Sequence, residues 1–214
     1  MKRLTVNEVI ESVRAKIDEI GWNESVMVDT DNDDQDLDTI IHSCIMDAYR
    51  FIIINADVSL LEGKQYNNEM TCFSIDDNLI GHLVLPDDFL RGITARLSSW
   101  QSSSDEIINE NTSEYRMQSD PYACGTFQHP VVALIHTRRG RELEFYKAKT
   151  IQDKLESFIY VPVLNLTMSQ LNIDIPDQLS EAFIYYVAGL TLTAFRDELS
   201  ASLFSIAKQL MGIE

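Results

Sequence analysis

Positive charge is scarce in this chain of 214 residues: 17 Lys and Arg stand against 34 Asp and Glu, a formal charge of −17, and the pI is near 4.5. That balance excludes a basic nucleic-acid-binding domain, which holds its ligand by neutralising phosphates. Long apolar runs are also missing. Runs such as Phe51 to Ala56 are far short of the roughly 18 to 20 apolar residues that a membrane-spanning helix needs. Cysteine is rare, and Cys44, Cys72 and Cys124 are odd in number, widely spaced and without a CxxC pair. Free thiols in a reducing compartment are the expectation. The N-terminal stretch starts basic, but Glu8, Glu11 and Arg14 interrupt any apolar core of a signal peptide, so the product is expected to stay in the cell that makes it.

Catalytic signatures are lacking as well. There is no GxGxxG and no GxxxxGK[ST], because Gly63-Lys64 has neither the upstream glycine nor the following hydroxyl, so no backbone cradle for phosphate is expected. No GxSxG elbow occurs, and His42, His82, His129 and His136 never form HxH or HxxxH pairs. The sequence selects no nucleophile, metal ligand set or cofactor site, and the expectation is a protein without catalytic activity.

What is present suits a packed core: 45% of residues are hydrophobic, with eight Tyr, nine Phe and two Trp spread along the chain. Charge is uneven. Residues 1–80 carry 6 basic and 17 acidic groups, residues 81–170 carry 9 and 11, and residues 171–214 carry 2 and 6. Thr5 and Glu8 form a capping-box pair ahead of Val6, Val9, Ile10, Val13, Ile17 and Ile20, which recur at helical spacing until Gly21. A second stripe, Leu37, Ile40, Ile41, Cys44, Ile45, Ala48, Tyr49 and Ile52, predicts a helix to about Asn55. From His82 the pattern turns to β: a strand at 82–85 closed by Pro86, an extended segment at 89–100, a hairpin of 131–135 and 143–146 around Gly140, and a strand at 158–161. A short helix is predicted near 112–118. Helices return at Pro176, with one stripe from Leu179 to Ala194, a break at 196–198, and a second stripe of Leu199, Leu203, Ile206 and Leu210. The expected fold is α+β: a helical bundle of two N-terminal and two C-terminal helices, from residues 1–80 and 171–214, with a small antiparallel β-layer, 81–170, inserted between them.

Three features bear on function. Asp29, Asp31 and Asp33 match the first ligand positions of a calcium loop, but Asp34 stands where the turn needs Gly and Ile40 where a bidentate Glu is needed. A solvated linker with Asp36 capping the second helix is the simpler reading. Arg138, Arg139 and Arg141 form the one basic cluster of an acidic chain. Either this is an exposed hairpin tip, or it pairs with an acidic surface of a neighbouring subunit, since a −17 body repels a polyanion. Phe183, Tyr185 and Tyr186 read as helix–helix contact, and Asp87-Asp88 as a cap on the following segment.

The ordered series LVLPDDFLRGITARLSSW (83–100), SEYRMQS (113–119), HPVVALI (129–135), ELEFY (142–146), IPDQLSEAFIYYVAGLTLTAF (175–195) and LFSIAKQLMG (203–212) resembles the head-to-tail adaptor proteins of tailed bacteriophages. It is similar to the tail-tubular-protein-A or ring-protein type of podophages and crAss-like phages, over roughly residues 37–211. The resemblance implies a structural protein of the virion head–tail junction, made in the host bacterial cytoplasm. Twelve copies would form a ring that docks on the portal protein, contacts its own neighbours and a downstream tail or ring protein, and passes DNA without binding it. The helical part would face the portal and the β-part would make inter-subunit and tail-side contacts. Arg138, Arg139 and Arg141 are the candidate subunit contacts, and Phe204, Lys208 and Met211 the candidate portal contacts. The acidic loop 29–38 has no counterpart in the resemblance. The competing reading is an acidic DNA mimic that inhibits a nucleic-acid-processing enzyme; the nearly neutral middle third, which interrupts any acidic stripe, weighs against it.

Overall fold

A computed structural model describes residues 2–19, 37–67, 73–138, 140–163, 172–195 and 197–213. Along the chain these residues form β1 (Lys2–Thr5), α1 (Val6–Glu19), α2 (Leu37–Asn55), β2 (Lys64–Gln65), β3 (Phe73–Ile75), β4 (Gly81–Val84), β5 (Phe89–Leu97), β6 (Ile107–Asn109), α3 (Ser113–Met117), β7 (Val132–Thr137), β8 (Gly140–Phe145), β9 (Leu155–Pro162), β10 (Asn172–Ile175), α4 (Ser180–Ala194) and α5 (Ser200–Leu210). The expectation of a helical bundle with one small sheet is thereby overturned. The fold is mixed, with five helices and ten strands in three sheets among the described residues, one sheet having five strands. The missed strands β1, β2, β3, β6 and β10 are two to four residues long, too short for a period-2 pattern to stand out.

Two compact units divide the chain: residues 1–62 with 163–214, and residues 63–162. The composition shift places the boundaries later, at 80/81 and 170/171. In the first unit, β1 pairs antiparallel with β10, Lys2 opposite Ile175 and Thr5 opposite Asn172. The capping box opens α1: the Thr5 N–H donates to Glu8 Oε2 at 2.7 Å and the Glu8 N–H to Thr5 Oγ1 at 3.2 Å. Helices α1, α2 and α5 all pack on α4, and this explains why α4 is apolar on nearly every face. Nine of its fifteen residues are buried, Phe183, Ile184, Val187 and Leu192 among them. The hydroxyl of buried Thr191 is satisfied within the helix, donating to the Val187 carbonyl at 2.9 Å. Rings link the helices: Phe51 of α2 stacks on Tyr186 of α4 at 4.4 Å, and Tyr186 meets Phe204 of α5 at 5.0 Å. Pro176 precedes a 3-10 turn, Asp177–Leu179, and α4 begins at Ser180.

In the second unit, two sheets share one core. Sheet order is β2-β9-β5 in one and β3-β4-β8-β7-β6 in the other, with β6 parallel to β7 and the remaining pairs antiparallel. Phe89, Leu97, Phe158 and Tyr160 from the first sheet pack with Leu83, Val132, Leu143 and Phe145 from the second. On the other face of the five-stranded sheet, Ala133, Ile135 and Tyr146 form a smaller cluster under Tyr115 of α3. Strand β7 is thus buried on both faces, which is why Val131-Val-Ala-Leu-Ile135 is a continuous apolar run instead of an alternating one. Gly140 turns the β7–β8 hairpin with φ +120°, a conformation costly for any residue with a Cβ. Tyr146 sits under a raised pKa, first because of burial and then because its hydroxyl donates to Glu144.

The close approach of α5 to α4 depends on Gly189, where an added Cβ would lie 2.7 Å from the Phe204 ring. Gly189→Val is expected to destabilise the first unit by about 1–3 kcal/mol through overpacking. Urea denaturation reads the loss, and amide exchange should show α5 losing protection before α1.

Candidate functional site

The basic hairpin tip separates into unlike residues. Arg138 is exposed at the tip, while Arg139 lies outside the described residues. Arg141 is tethered. Alternation along β8 places it on the same face as Leu143 and Phe145, which point into the core shared with the other sheet. Its guanidinium donates to the Phe89 carbonyl at 2.9 Å and lies 5.3 Å from the Phe89 ring centroid. Arg141 therefore joins the two sheets and is not a free contact for a neighbour. The adjacent Glu142 is buried, with its Oε1 accepting from Thr137 Oγ1 at 2.7 Å.

Of the portal-contact candidates, Met211 is fully buried, and its carbonyl accepts from the Asp57 N–H at 3.2 Å. Phe204 packs against Gly189 and Tyr186, so its ring is committed to the helix pair. Lys208 is exposed. The apolar side chains turned outward at the N-cap of α5 and along it are different ones: Leu199, Ile206 and Leu210, spaced 7 and 4 residues apart, which brings them to one line on a helix. The stripe seen in the sequence was right in its period, but the buried face lies on Leu203, Ala207 and Met211.

Asp88 does more than cap a turn. Its carboxylate accepts from Lys64 Nζ at 2.5 Å and from the Tyr160 hydroxyl at 3.0 Å, while Lys64 Nζ sits 5.1 Å from the Tyr160 ring centroid. Strand β2, the Pro86–Phe89 turn and β9 are pinned together by these bonds. Burial pushes the Asp88 carboxyl up, but the hydrogen bonds from Lys64 and Tyr160 outweigh it and hold the group below its ordinary range. A second carboxylate, Glu144, accepts at one oxygen from Tyr146 at 2.6 Å and Tyr115 at 3.2 Å, fixing α3 over the sheet. At the sheet edge His136 meets Glu110 at 2.9 Å. The backbone and then the ring of His136 hold the Glu110 carboxyl low. Sequence spacing gave no sign of these groupings, because each joins residues 24 or more apart or depends on which strand face a side chain takes.

Among the described residues, no three His, Cys, Asp or Glu side chains converge as a metal site requires. Asp29, Asp31 and Asp33 of the candidate calcium loop, and the expected cap Asp36, lie outside the described residues. Cys44 and Cys124 are free thiols, with burial pushing the Cys44 thiol up. No described helix is long and apolar enough to cross a membrane. No protein-family model matches the chain, and no curated protein matches it.

Two measurements test these assignments. Arg141→Ala should lower the stability of the second unit by about 1–2 kcal/mol, while Arg138→Glu leaves it within about 0.5 kcal/mol. Because the folded-state pKa of Asp88 is depressed, its contribution is present above the unfolded-state value near 4 and is lost as pH falls through the folded value. Asp88→Asn should therefore cost about 0.5–1 kcal/mol at pH 7, discounted for the partial exposure of Lys64 and Asp88. The difference from the parent protein should shrink below about pH 4, as read by denaturation across pH.

Proposed function

We propose that this chain is a non-catalytic subunit of a head-to-tail adaptor ring of a tailed bacteriophage, docking on the portal and continuing the DNA channel. The observation that carries the reading is the segregation of charge between the two units. The unit built from both chain ends holds 7 basic and 20 acidic residues, net −13, while the inserted β-unit holds 10 and 14, net −4. An acidic wall repels phosphates at short range, within the ~8 Å that physiological salt leaves unscreened, so a genome slides past it instead of sticking. The less charged β-unit is then the natural source of subunit contacts, because like-charged units resist close packing.

A closed ring needs a heterologous interface, in which one surface of each subunit meets a different surface of the next. Arg138 and Arg139 offer positive charge to an acidic neighbour. The portal contact falls to the outward stripe of α5, Leu199, Ile206 and Leu210 beside Lys208, in place of Phe204 and Met211. The purified protein should sediment as rings of about twelve 24.4-kDa chains, roughly 290 kDa in all. Arg138→Glu with Arg139→Glu should impair ring formation, and unchanged assembly counts against that contact. Ile206→Glu with Leu210→Glu should abolish association with the portal of the same genome while the melting curve stays close to that of the parent. Retained portal binding by that variant removes α5 from the docking face.

A further inference from the structure

Several cations of the β-unit are already engaged: Lys64 with Asp88, Arg96 with Glu156 at 3.1 Å, and Arg141 with the Phe89 carbonyl. The connection from β8 to β9 differs. Residues 147–154 carry Lys147, Lys149 and Lys154, all exposed, and among the described residues none of the three has an ion-pair partner. The one acid of this loop is turned inward. Asp153 accepts through its carboxylate from the Lys149 N–H at 2.6 Å, the Thr150 N–H at 3.4 Å and Thr150 Oγ1 at 3.2 Å. Both ends of the loop are fixed as well. Trp100 Nε1 donates to the Lys147 carbonyl at 3.0 Å, the Ala148 N–H donates to the Leu79 carbonyl at 3.0 Å, and the Ser98 N–H donates to the Lys154 carbonyl at 2.9 Å. These bonds hold Lys147 at φ 65°, a left-handed conformation unfavourable for a residue with a Cβ. Between Lys149 and Lys154 in the chain, Ile151 is 67% exposed. A loop already ordered in this way loses little backbone freedom on binding.

Copies of a chain with a net charge of −17 repel one another, so a contact that joins them has to set cations of one against acids of the next. Helix α1 presents acids in a suitable pattern. Val9, Val13 and Ile17 are its buried face, while Glu11, Ala15 and Asp18 are exposed. Spacings of four and three place these three residues along one line of the helix, over about 10.5 Å. Other acids nearby are committed: Glu8 to the capping box and Asp38 to Arg14 at 2.7 Å. Among the described residues neither Glu11 nor Asp18 has an ion-pair partner. Two carboxylates flanking a methyl group on α1 complement two ammonium groups flanking Ile151 on the loop, in charge and in polarity.

We infer that loop 147–154 of one copy docks on the outer face of α1 of a second copy, with Lys149 and Lys154 meeting Glu11 and Asp18 around Ile151 and Ala15. The inference rests on the ring reading and supplies it with a heterologous contact, in which two different surfaces meet. This contact is one part of an interface that buries about 1,200–2,000 Å² in total, and its charges set register and partner choice.

The test is a charge swap in the full-length protein. One variant carries Lys149→Glu with Lys154→Glu, the other Glu11→Lys with Asp18→Lys. All four positions are exposed, and melting curves close to that of the parent verify folding. In sedimentation each variant alone should self-associate about a hundredfold more weakly than the parent. A 1:1 mixture should recover to within about threefold of it, because every contact then joins opposite charges; recovery on mixing requires the two surfaces to belong to different copies. The neutral variants, Lys149→Gln with Lys154→Gln and Glu11→Gln with Asp18→Asn, should each weaken association about fivefold and carry the test if a reversal disturbs folding. Undiminished association of the variants, or a mixture no stronger than its components, overturns this contact and leaves the ring reading standing. Binding of duplex DNA or phosphatidylserine vesicles through the loop, with self-association indifferent to it, does the same. A wild-type chain that stays monomeric at about 100 µM, both alone and with the portal, overturns both.

Discussion

The architecture turns on the burial of α4 among three other helices. A helix apolar on almost every face cannot rest on a surface; it must be enclosed. The partners that enclose it, α1, α2 and α5, come from both ends of the chain. The first unit can therefore close only when residues separated by the whole β-unit come together, with β1 and β10 pairing as part of that closure. The β-unit, residues 63–162, has its own core of Phe89, Phe145, Phe158 and their neighbours. Each unit thus has a buried core of its own among the described residues.

Features outside those cores give the chain its character. The acidity concentrates in the α4 unit, and the β-unit carries the exposed tip Arg138 and the exposed Tyr122. The polar residues that draw the eye inside the β-unit serve architecture. Asp88 with Lys64 and Tyr160, Glu144 with Tyr115 and Tyr146, and Arg141 with Phe89 each bind strands or layers together. Carboxylates tied up by hydrogen bonds to tyrosine and lysine hold these elements in place.

Local signals in the sequence were legible where one element satisfied one rule. The Thr5–Glu8 capping box and the stripe behind it mark α1, the second stripe marks α2 to Asn55, and the apolar runs around Gly140 mark the β7–β8 hairpin. The fold class was misread because the decisive pairings are non-local. Strand β9 bridges β2 and β5 across more than fifty residues of chain, and β2, only two residues long, is too short to announce itself. The same limit explains the site residues. Arg141 reads as tip charge until its register beside Leu143 shows that it faces the other sheet. Met211 and Phe204 read as surplus apolar residues until α5 is seen to turn that face onto α4. Tyr122 carries no sequence signal, since an exposed and a buried tyrosine in a polar loop look the same.

The proposed function is assembly of a ring that seats on a portal. Co-expression with the portal protein of the same genome, followed by negative-stain imaging of the purified complex, tests it most directly. A twelve-fold ring seated on the portal, with a continuous central channel, is the expected result. A chain that stays monomeric and never purifies with the portal contradicts it.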